Sequence, residues 1–353
     1  MINLSAMNIE NKMAVWVLTR GGLTLTKKLK KEKSNCVCFV SDRFNDGICD
    51  VSFTSLKKCV GENFNKYPHH LFIMATGIVI RMIADHIKHK TVDPAVVSMD
   101  DNGRYVIPLL SGHIGGANQL ALEIAGITGA EPVLSTATDV NHVPAIDMIA
   151  KENRLKIENP EMIKIINMAF LEKEKIWFHD PFSLLSDFYE SLPDYFLSET
   201  KECDCRVIID DCIHNDDKSL YLRPLTLSVG IGCNRGTSES EIMDLLKDVF
   251  MRNSLSIFSI RHIATIDIKK DEQGILKVSK SLNVPIIFLK SRELDTVKNV
   301  KNISQIVKKH TGAKSVCEAA AILAATNGEL IVEKQKTKNV TLAVARMTDL
   351  SIL

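Results

Sequence analysis

The chain has 353 residues, 45 % of them hydrophobic and 25 % charged, which suits roughly two to three soluble domains of ~150 residues. Seventeen glycines and 10 prolines exclude collagen and low-complexity linkers. With 44 Lys+Arg against 43 Asp+Glu the net charge is +1, so no global field draws it to nucleic acid or an anionic membrane. An anionic ligand must be held by local groups.

The first 150 residues alternate strand and helix. Apolar runs of strand length occur at 14–19, 36–40, 71–75, 95–99, 105–110 and 132–135, with helical patterns at 23–31, 55–63, 78–89 and 117–125. This order predicts an α/β, doubly wound, mainly parallel N-terminal sheet in a domain spanning 1–150. The stretch DPAVVSMDDNGRYVIPLL predicts a hairpin turning at Asp101-Asn102-Gly103. Residues 151–222, with Pro160, Pro181, Pro193 and the acidic run KECDCRVIIDDCIHNDD, read as a small central α/β region connecting two larger parts. From 223 to 353 a separate C-terminal α/β domain is expected. Its strands are placed at 225–230, 263–268, 285–289 and 340–345, and its helices at 240–252, 271–282, 300–310 and 316–325.

No apolar stretch approaches the ~18 residues of a membrane span. The most apolar window, 71–84, is broken by Thr76, Gly77 and Arg81. The start MINLSAMNIENKMAVW lacks the basic, apolar and small-residue segments of a secretory signal. The expected location is cytoplasmic, and the nine cysteines are expected as reduced thiols.

One local geometry recurs three times: a strand, a glycine-bearing turn, then a helix. It appears at ATGIVIR with Thr76, Gly77 and Arg81; at SGHIGGAN with Ser111, Gly112, His113, Gly115, Gly116 and Asn118; and at VGIGCNRGT with Gly230, Gly232, Cys233, Arg235 and Thr237. Glycine lets a backbone approach a ligand, and a helix start attracts anions. In an open parallel sheet such turns lie where ligands bind, at the carboxyl ends of strands. Three of them suit a ligand with several carboxylates or phosphates. A βα turn also needs glycine and a cap for itself, and Ser238 to Glu241 is explained by a capping box. The run SGHIGGAN holds more than a cap requires.

Known nucleotide and hydrolase signatures are missing. Gly230, Gly232 and Gly236 are spaced one residue too long for a dinucleotide fingerprint, and neither a P-loop nor a G-x-S-x-G elbow occurs. His113 is the candidate general base, since imidazole exchanges protons near neutrality. Asp93, Asp100 and Asp139 are candidates to orient it or act themselves, against the plain alternative of turn and cap residues. Arg81 suits a bidentate carboxylate clamp. Ser111 is the rival nucleophile, and backbone amides of SGHIGGAN at the helix start are candidate oxyanion donors. Cys233, in a glycine-rich turn, sits where a thiolate is favoured. Ser315-x-x-Glu318 reads as another capping box, with Glu318 a secondary ligand candidate. No metal site is expected: Cys36-x-Cys38 and Cys203-x-Cys205 are too closely spaced for zinc, and Cys212 with His214 is only a weak cluster.

With these segments in view, the chain resembles the cobalt-precorrin-5A hydrolases of anaerobic cobalamin biosynthesis. The resemblance spans nearly the whole chain and is most specific in ATGIVIR, DPAVVSMDDNGRYVIPLLSGHIGGANQLA, STATD, VGIGCNRGT and SVCEAAAILAA. Its C-terminal part is similar to a small stand-alone protein of the aerobic pathway. The resemblance implies a corrinoid substrate with many carboxylate arms. It implies opening of the ring-A δ-lactone by water and release of acetaldehyde, giving cobalt-precorrin-5B. Cobalt then arrives with the substrate and no protein cofactor is needed. The expected partner is that small molecule, not nucleic acid or membrane, with a homodimer or transient handover to neighbouring pathway enzymes left open. The competing readings are a corrinoid carrier without catalysis and an unrelated anion-binding α/β enzyme.

Overall fold

Strands that read as unbroken apolar runs need cover on both faces. The computed structural model describes residues 12–351 apart from 46, 48, 90–91, 198–202, 299 and 303–314. It divides into two compact units, Met1–Met148 and Ile149–Leu353.

The first unit is a sheet of β1 (Met13–Val17), β2 (Cys36–Ser41), β3 (Val51–Phe53), β4 (His69–Ile73), β5 (Ala95–Met99), β6 (Tyr105–Leu110) and β7 (Glu131–Pro132), in the order β3-β2-β1-β4-β5-β6-β7. Its helices are α1 (Arg20–Glu32), α2 (Leu56–Asn63), α3 (Thr76–Ile83), α4 (Ala117–Thr128), α5 (Ala137–Val140) and α6 (Ile146–Glu152), the last crossing the boundary between units. Side chains alternate across a strand. Met13, Val15 and Val17 therefore pack with Leu23 and Leu29 of α1 and Leu120 and Ile124 of α4. Ala14 and Trp16 pack on the other face with Val60 of α2 and Val79 and Ile83 of α3. This is the doubly wound arrangement expected. Trp16 Nε1 donates to His70 Nδ1 at 3.0 Å, so the His70 proton sits on Nε2 and points to the Phe64 carbonyl at 2.9 Å. Burial pushes the His70 pKa down to about 4 and keeps the ring neutral.

Some local expectations shift. The strand expected at 132–135 is only Glu131–Pro132, and the helix expected at 78–89 starts at Thr76 and tightens into a 3₁₀ turn at Ala84–His86. Strand β3, three residues long, was too short to be read as a run. Cys38 and Cys49, with Cα atoms 5.0 Å apart, are joined as a disulfide rather than both reduced. The hairpin forms as expected: β5 and β6 are antiparallel, while the other neighbouring pairs of this sheet are parallel.

The second unit contains two sheets. The first joins β8 (Lys156–Ile157), β9 (Ile176–His179), β10 (Phe196–Leu197), β11 (Arg206–Ile209) and β12 (Ser219–Arg223) in the order β10-β9-β11-β12-β8, with α7 (Ile163–Glu172) and α8 (Ser186–Ser191). The second joins β13 (Leu227–Cys233), β14 (Ile260–Ile266), β15 (Ile286–Leu289), β16 (Glu329–Lys336) and β17 (Val340–Arg346) in the order β15-β14-β13-β17-β16. Its helices are α9 (Glu239–Arg252), α10 (Gln273–Leu282), α11 (Ser291–Asp295) and α12 (Cys317–Ala324). The division expected at 222/223 falls between these sheets, inside one unit. Most of the helix expected at 300–310 lies outside the described residues.

Asp211, fully buried, ties this unit together. Its carboxylate accepts both Arg346 Nε at 2.8 Å and Nη2 at 2.6 Å, and the Thr226 hydroxyl at 2.6 Å. The alanine-rich α12 lies against β13 so closely that a Cβ on Gly230 would meet the Cys317 carbonyl at 1.8 Å. Among the described residues no helix is long and apolar enough to cross a membrane.

Candidate active site

The loop between β6 and α4 is shaped by backbone that ordinary residues resist. Ser111 has φ 57° and Gly116 φ 87°. A Cβ on Gly115 would lie 2.3 Å from the Ser111 Cβ. The loop folds onto itself: the amides of Gly116, Ala117 and Asn118 donate to the carbonyls of His113, Ser111 and Gly112 at 2.8, 3.0 and 3.0 Å. The backbone amides of SGHIGGAN are the expected oxyanion donors, and those of Gly116, Ala117 and Asn118 are taken up by the loop's own carbonyls.

That fold presents His113 between two carboxylates. Its Nδ1 is 3.1 Å from Asp147 Oδ2, and its Nε2 is 3.2 Å from Asp139 Oδ2 and 3.1 Å from Thr138 Oγ1. Asn118 Nδ2 donates to the same Asp139 oxygen at 2.7 Å and to Thr136 Oγ1 at 3.0 Å. The His113 side chain is 15 % exposed, that of Asp147 6 % and that of Asp139 31 %. Asp139 thus faces solvent, and Asp147 lies beneath the ring. The Asp147 hydrogen bond raises the His113 pKa above the usual imidazole value. Burial opposes this, and the Asp147 and Asp139 charges add to it. The two carboxylates thus favour the imidazolium form more than water favours it in a free imidazole, and each faces one ring nitrogen.

Asp147 was missed from sequence. Its only signal is an acidic residue set among the apolar residues of AIDMIA, and its partner is 34 positions away. Of the residues that were expected, His113, Asp139 and Asn118 meet directly. Ser111 lies in the same loop, but its hydroxyl donates to the Asp93 carbonyl at 3.0 Å. The buried Asp93 carboxylate accepts the Lys88 amide at 3.0 and 3.1 Å, fastening one loop to another. Together with Tyr67, Pro68, Val92 and Gly115, Asp93 lines a cavity of about 380 Å³.

Asp100 does not join the cluster. Its carboxylate accepts the amides of Asn102, Arg104 and Tyr105 at 2.9, 2.8 and 2.7 Å, and so holds the hairpin turn. Thr76, Gly77 and Arg81 also stand apart. Because β6 runs antiparallel, its last residue, Leu110, pairs with Val96 near the start of β5, whereas Thr76 follows the far end of β4. The two turns occupy opposite edges of the sheet, a strand length of roughly 13 Å apart. Arg81 Nη1 donates to the Gly77 carbonyl at 3.0 Å, within its own helix.

In the second unit the expected residues are mostly structural. Gly230 admits α12, and a Cβ on Gly232 would meet Thr341 Oγ1 at 2.7 Å. Arg235 pairs with Asp271 at 2.5 Å, and Thr237 Oγ1 donates to the Asn234 carbonyl at 2.8 Å. Burial raises the Cys233 pKa, so it is a thiol and not the thiolate expected at a helix start; it ends β13, and α9 begins only at Glu239. Ser238 does cap α9, accepting the Glu241 amide at 3.2 Å. The Ser315–Glu318 capping box is not formed. Buried Ser315 Oγ has no partner among the described residues, and Glu318 instead accepts the amides of Lys301, Asn302 and Lys334 at 2.9, 2.9 and 3.0 Å. Gly232, Cys233, Lys269, Lys334, Lys338 and Thr341 contribute to a smaller cavity of about 190 Å³.

Three family descriptions match successive parts of the chain: "Cobalamin synthesis G N-terminal" over 58–139, "Cobalamin biosynthesis central region" over 144–224 and "Cobalamin synthesis G C-terminus" over 227–345. The chain is 30 % identical over 356 residues to a "Cobalt-precorrin-5A hydrolase" of Priestia megaterium, covering 94 % of each. The chain belongs to the cobalt-precorrin-5A hydrolase family. A second hydrolase of that name, from Salmonella typhimurium, is 30 % identical over 346 residues, covering 94 % of this chain and 97 % of that one. "Protein CobE" of a Sinorhizobium sp is 30 % identical over 121 residues, which is 34 % of this chain and 79 % of that protein. The family's N-terminal match contains His113, Asn118 and Asp139, while Asp147 falls within the central match.

Proposed function

We propose that this protein opens the ring-A δ-lactone of cobalt-precorrin-5A with water and releases acetaldehyde, giving cobalt-precorrin-5B. The observation that carries the reading is His113 gripped by Asp139 and Asp147 on a glycine-shaped loop, in a chain of this family. The cobalt is part of the substrate. The reading places the reaction in the cytoplasm, with the corrinoid as partner.

The geometry suggests a division of labour that differs from the base role expected for His113. The solvent-facing Asp139 carboxylate takes a proton from the attacking water as its oxygen bonds to the lactone carbonyl carbon. The His113 imidazolium, stabilised from below by Asp147, faces the developing negative charge. It gives its Nε2 proton to the ring oxygen as the C–O bond breaks. Asp139 then returns its proton to His113 across their 3.2 Å contact, and the pair is reset with one water consumed. In the second step the freed hydroxyl loses its proton, the carbon–carbon bond breaks, and acetaldehyde leaves. The electron pair passes into the macrocycle, which takes up a proton. Asn118 holds Asp139, and Asp147 holds the ring orientation.

Anaerobic incubation with cobalt-precorrin-5A tests this, assaying acetaldehyde and the macrocycle mass. The wild type yields both products stoichiometrically, and His113→Gln and Asp139→Asn each lose at least about 100-fold in kcat, the low end for a positioned acid or base. Binding without acetaldehyde release by the wild type would overturn the activity. Near-normal turnover by either variant would overturn the assignment of roles.

A further inference from the structure

The second unit gathers another set of donors, His179, Asp210 and His214, none of which has a part in the proposed lactone opening. His179 ends β9, and Asp210 directly follows β11. These strands are parallel neighbours with His179 opposite Ile208, so both side chains reach the carboxyl edge of their sheet. That edge is where open α/β sheets place ligands. His214 Nε2 lies 2.8 Å and His179 Nε2 3.7 Å from the same atom, Asp210 Oδ2. One donor atom from each of the three lies within 4.8 Å of the others.

The surroundings hold this set in place. Asp210 Oδ1 accepts the Cys212 amide at 3.2 Å, which leaves Oδ2 turned to both imidazoles. Arg223, buried, clamps the carbonyls of Asp210 and Cys212 at 2.8 and 2.6 Å. The Tyr221 hydroxyl lies 3.0 Å from the His214 carbonyl. The His179 and His214 side chains are 36 % and 33 % exposed and that of Asp210 9 %, so an ion has an entry path and keeps a solvent-facing position. The adjoining group Asp210, Asp211 and Cys212 is different, because Arg346 and Thr226 already neutralise and fill Asp211.

We propose that His179, Asp210 and His214 bind one divalent transition-metal ion of the zinc or cobalt(II) class, with its remaining position open to solvent. Two imidazoles and one carboxylate suit these borderline ions, whereas magnesium and calcium require oxygen donors. Metal–ligand bonds of ~2.0–2.2 Å put donor atoms about 3.4 Å apart around a four-coordinate ion. The 3.7 Å spacing needs only a small turn of the His179 ring. The His214–Asp210 hydrogen bond opens as the ion comes between the two donors, with the neutral imidazole carrying its N–H on Nδ1. This ion is distinct from the cobalt carried by the substrate.

The test uses the full-length protein stripped with EDTA and titrated anaerobically with Co²⁺, reading ligand-field absorption, then Zn²⁺ displacement. The wild type takes one equivalent, and its melting temperature rises with the ion. His179→Gln and His214→Gln each weaken binding by more than about tenfold, since even outer partners of a metal ligand are worth ~10–100-fold. Both lose the metal-dependent rise, while their melting in EDTA stays at the wild-type value. A wild type that takes up no ion would overturn the proposal. So would equal affinity and spectrum in wild type and variants, or a thiolate-to-cobalt band that persists in both variants.

Discussion

Replacing Asp147 with asparagine isolates the charge beneath His113. The amide keeps the shape and can still accept the Nδ1 proton, whose acceptor now stands 3.1 Å away. What is lost is the difference between a hydrogen bond to a charged group, ~1.5–3 kcal/mol, and a neutral one, ~0.5–1.5 kcal/mol. Side-chain exposures of 15 % and 6 % leave little room for solvent screening of that pair. The imidazolium should therefore lose about 1 to 1.5 kcal/mol, roughly tenfold in its affinity for the proton. If His113 acts as the proton donor, kcat/KM falls as pH rises through its pKa, and in Asp147→Asn this alkaline limb moves to lower pH. Stability follows the same sign. A raised imidazole pKa stabilises the fold fully below the unfolded value of ~6.5 and is lost as pH rises through the folded value. The variant should therefore melt below the wild type in mildly acidic buffer. Well above the folded value, where a buried carboxylate has no cation beside it, the variant should match or exceed the wild type. The assays are the pH dependence of kcat/KM, an NMR titration of the His113 ring, and melting across that range. An unchanged alkaline limb together with an unchanged ring titration would refute the reasoning.

Gly115→Ala should lower kcat/KM at least tenfold in the acetaldehyde assay, because a Cβ 2.3 Å from Ser111 displaces the loop and a shift of ~1 Å at a catalytic group can cost ~100-fold. Asp100→Ala removes three amide acceptors from the hairpin turn; it should cost about 1 kcal/mol in a denaturant melt and leave kcat unchanged. Gly230→Ala should destabilise the second unit by about 3 kcal/mol, read as a fall in its melting temperature of roughly 6–12 °C, since the new methyl meets the Cys317 carbonyl. Arg346→Met strands the fully buried Asp211 carboxylate and should cost about 3–5 kcal/mol in the same melt, with part of the loss recovered by adding Asp211→Asn.

The strands at 95–99 and 105–110 and the hairpin between them were legible because apolar residues fill nearly every position, Ser98 being the polar exception, and the Asp-Asn-Gly turn interrupts the pattern sharply. The glycines of SGHIGGAN were legible for a similar reason: positive φ at Gly116 and the absent Cβ of Gly115 are properties of single residues. His113 and Asp139 could be nominated because their side chains carry the needed chemistry wherever they lie. The same hairpin reverses β6, and only in the assembled sheet does that reversal send the His113 loop to the edge opposite Thr76. Nor could pattern pair His113 with Asp147, or His179 with Asp210 and His214. Glu318 and Ser315 matched a local capping box, yet backbone amides from two other segments claimed the carboxylate. Periodicity and glycine placement are written in single residues and their near neighbours, so the sequence by itself determined the elements and the loop. Which charges share a site depends on chain reversals and packing that bring distant residues within about 3 Å, and only the tertiary structure decided that.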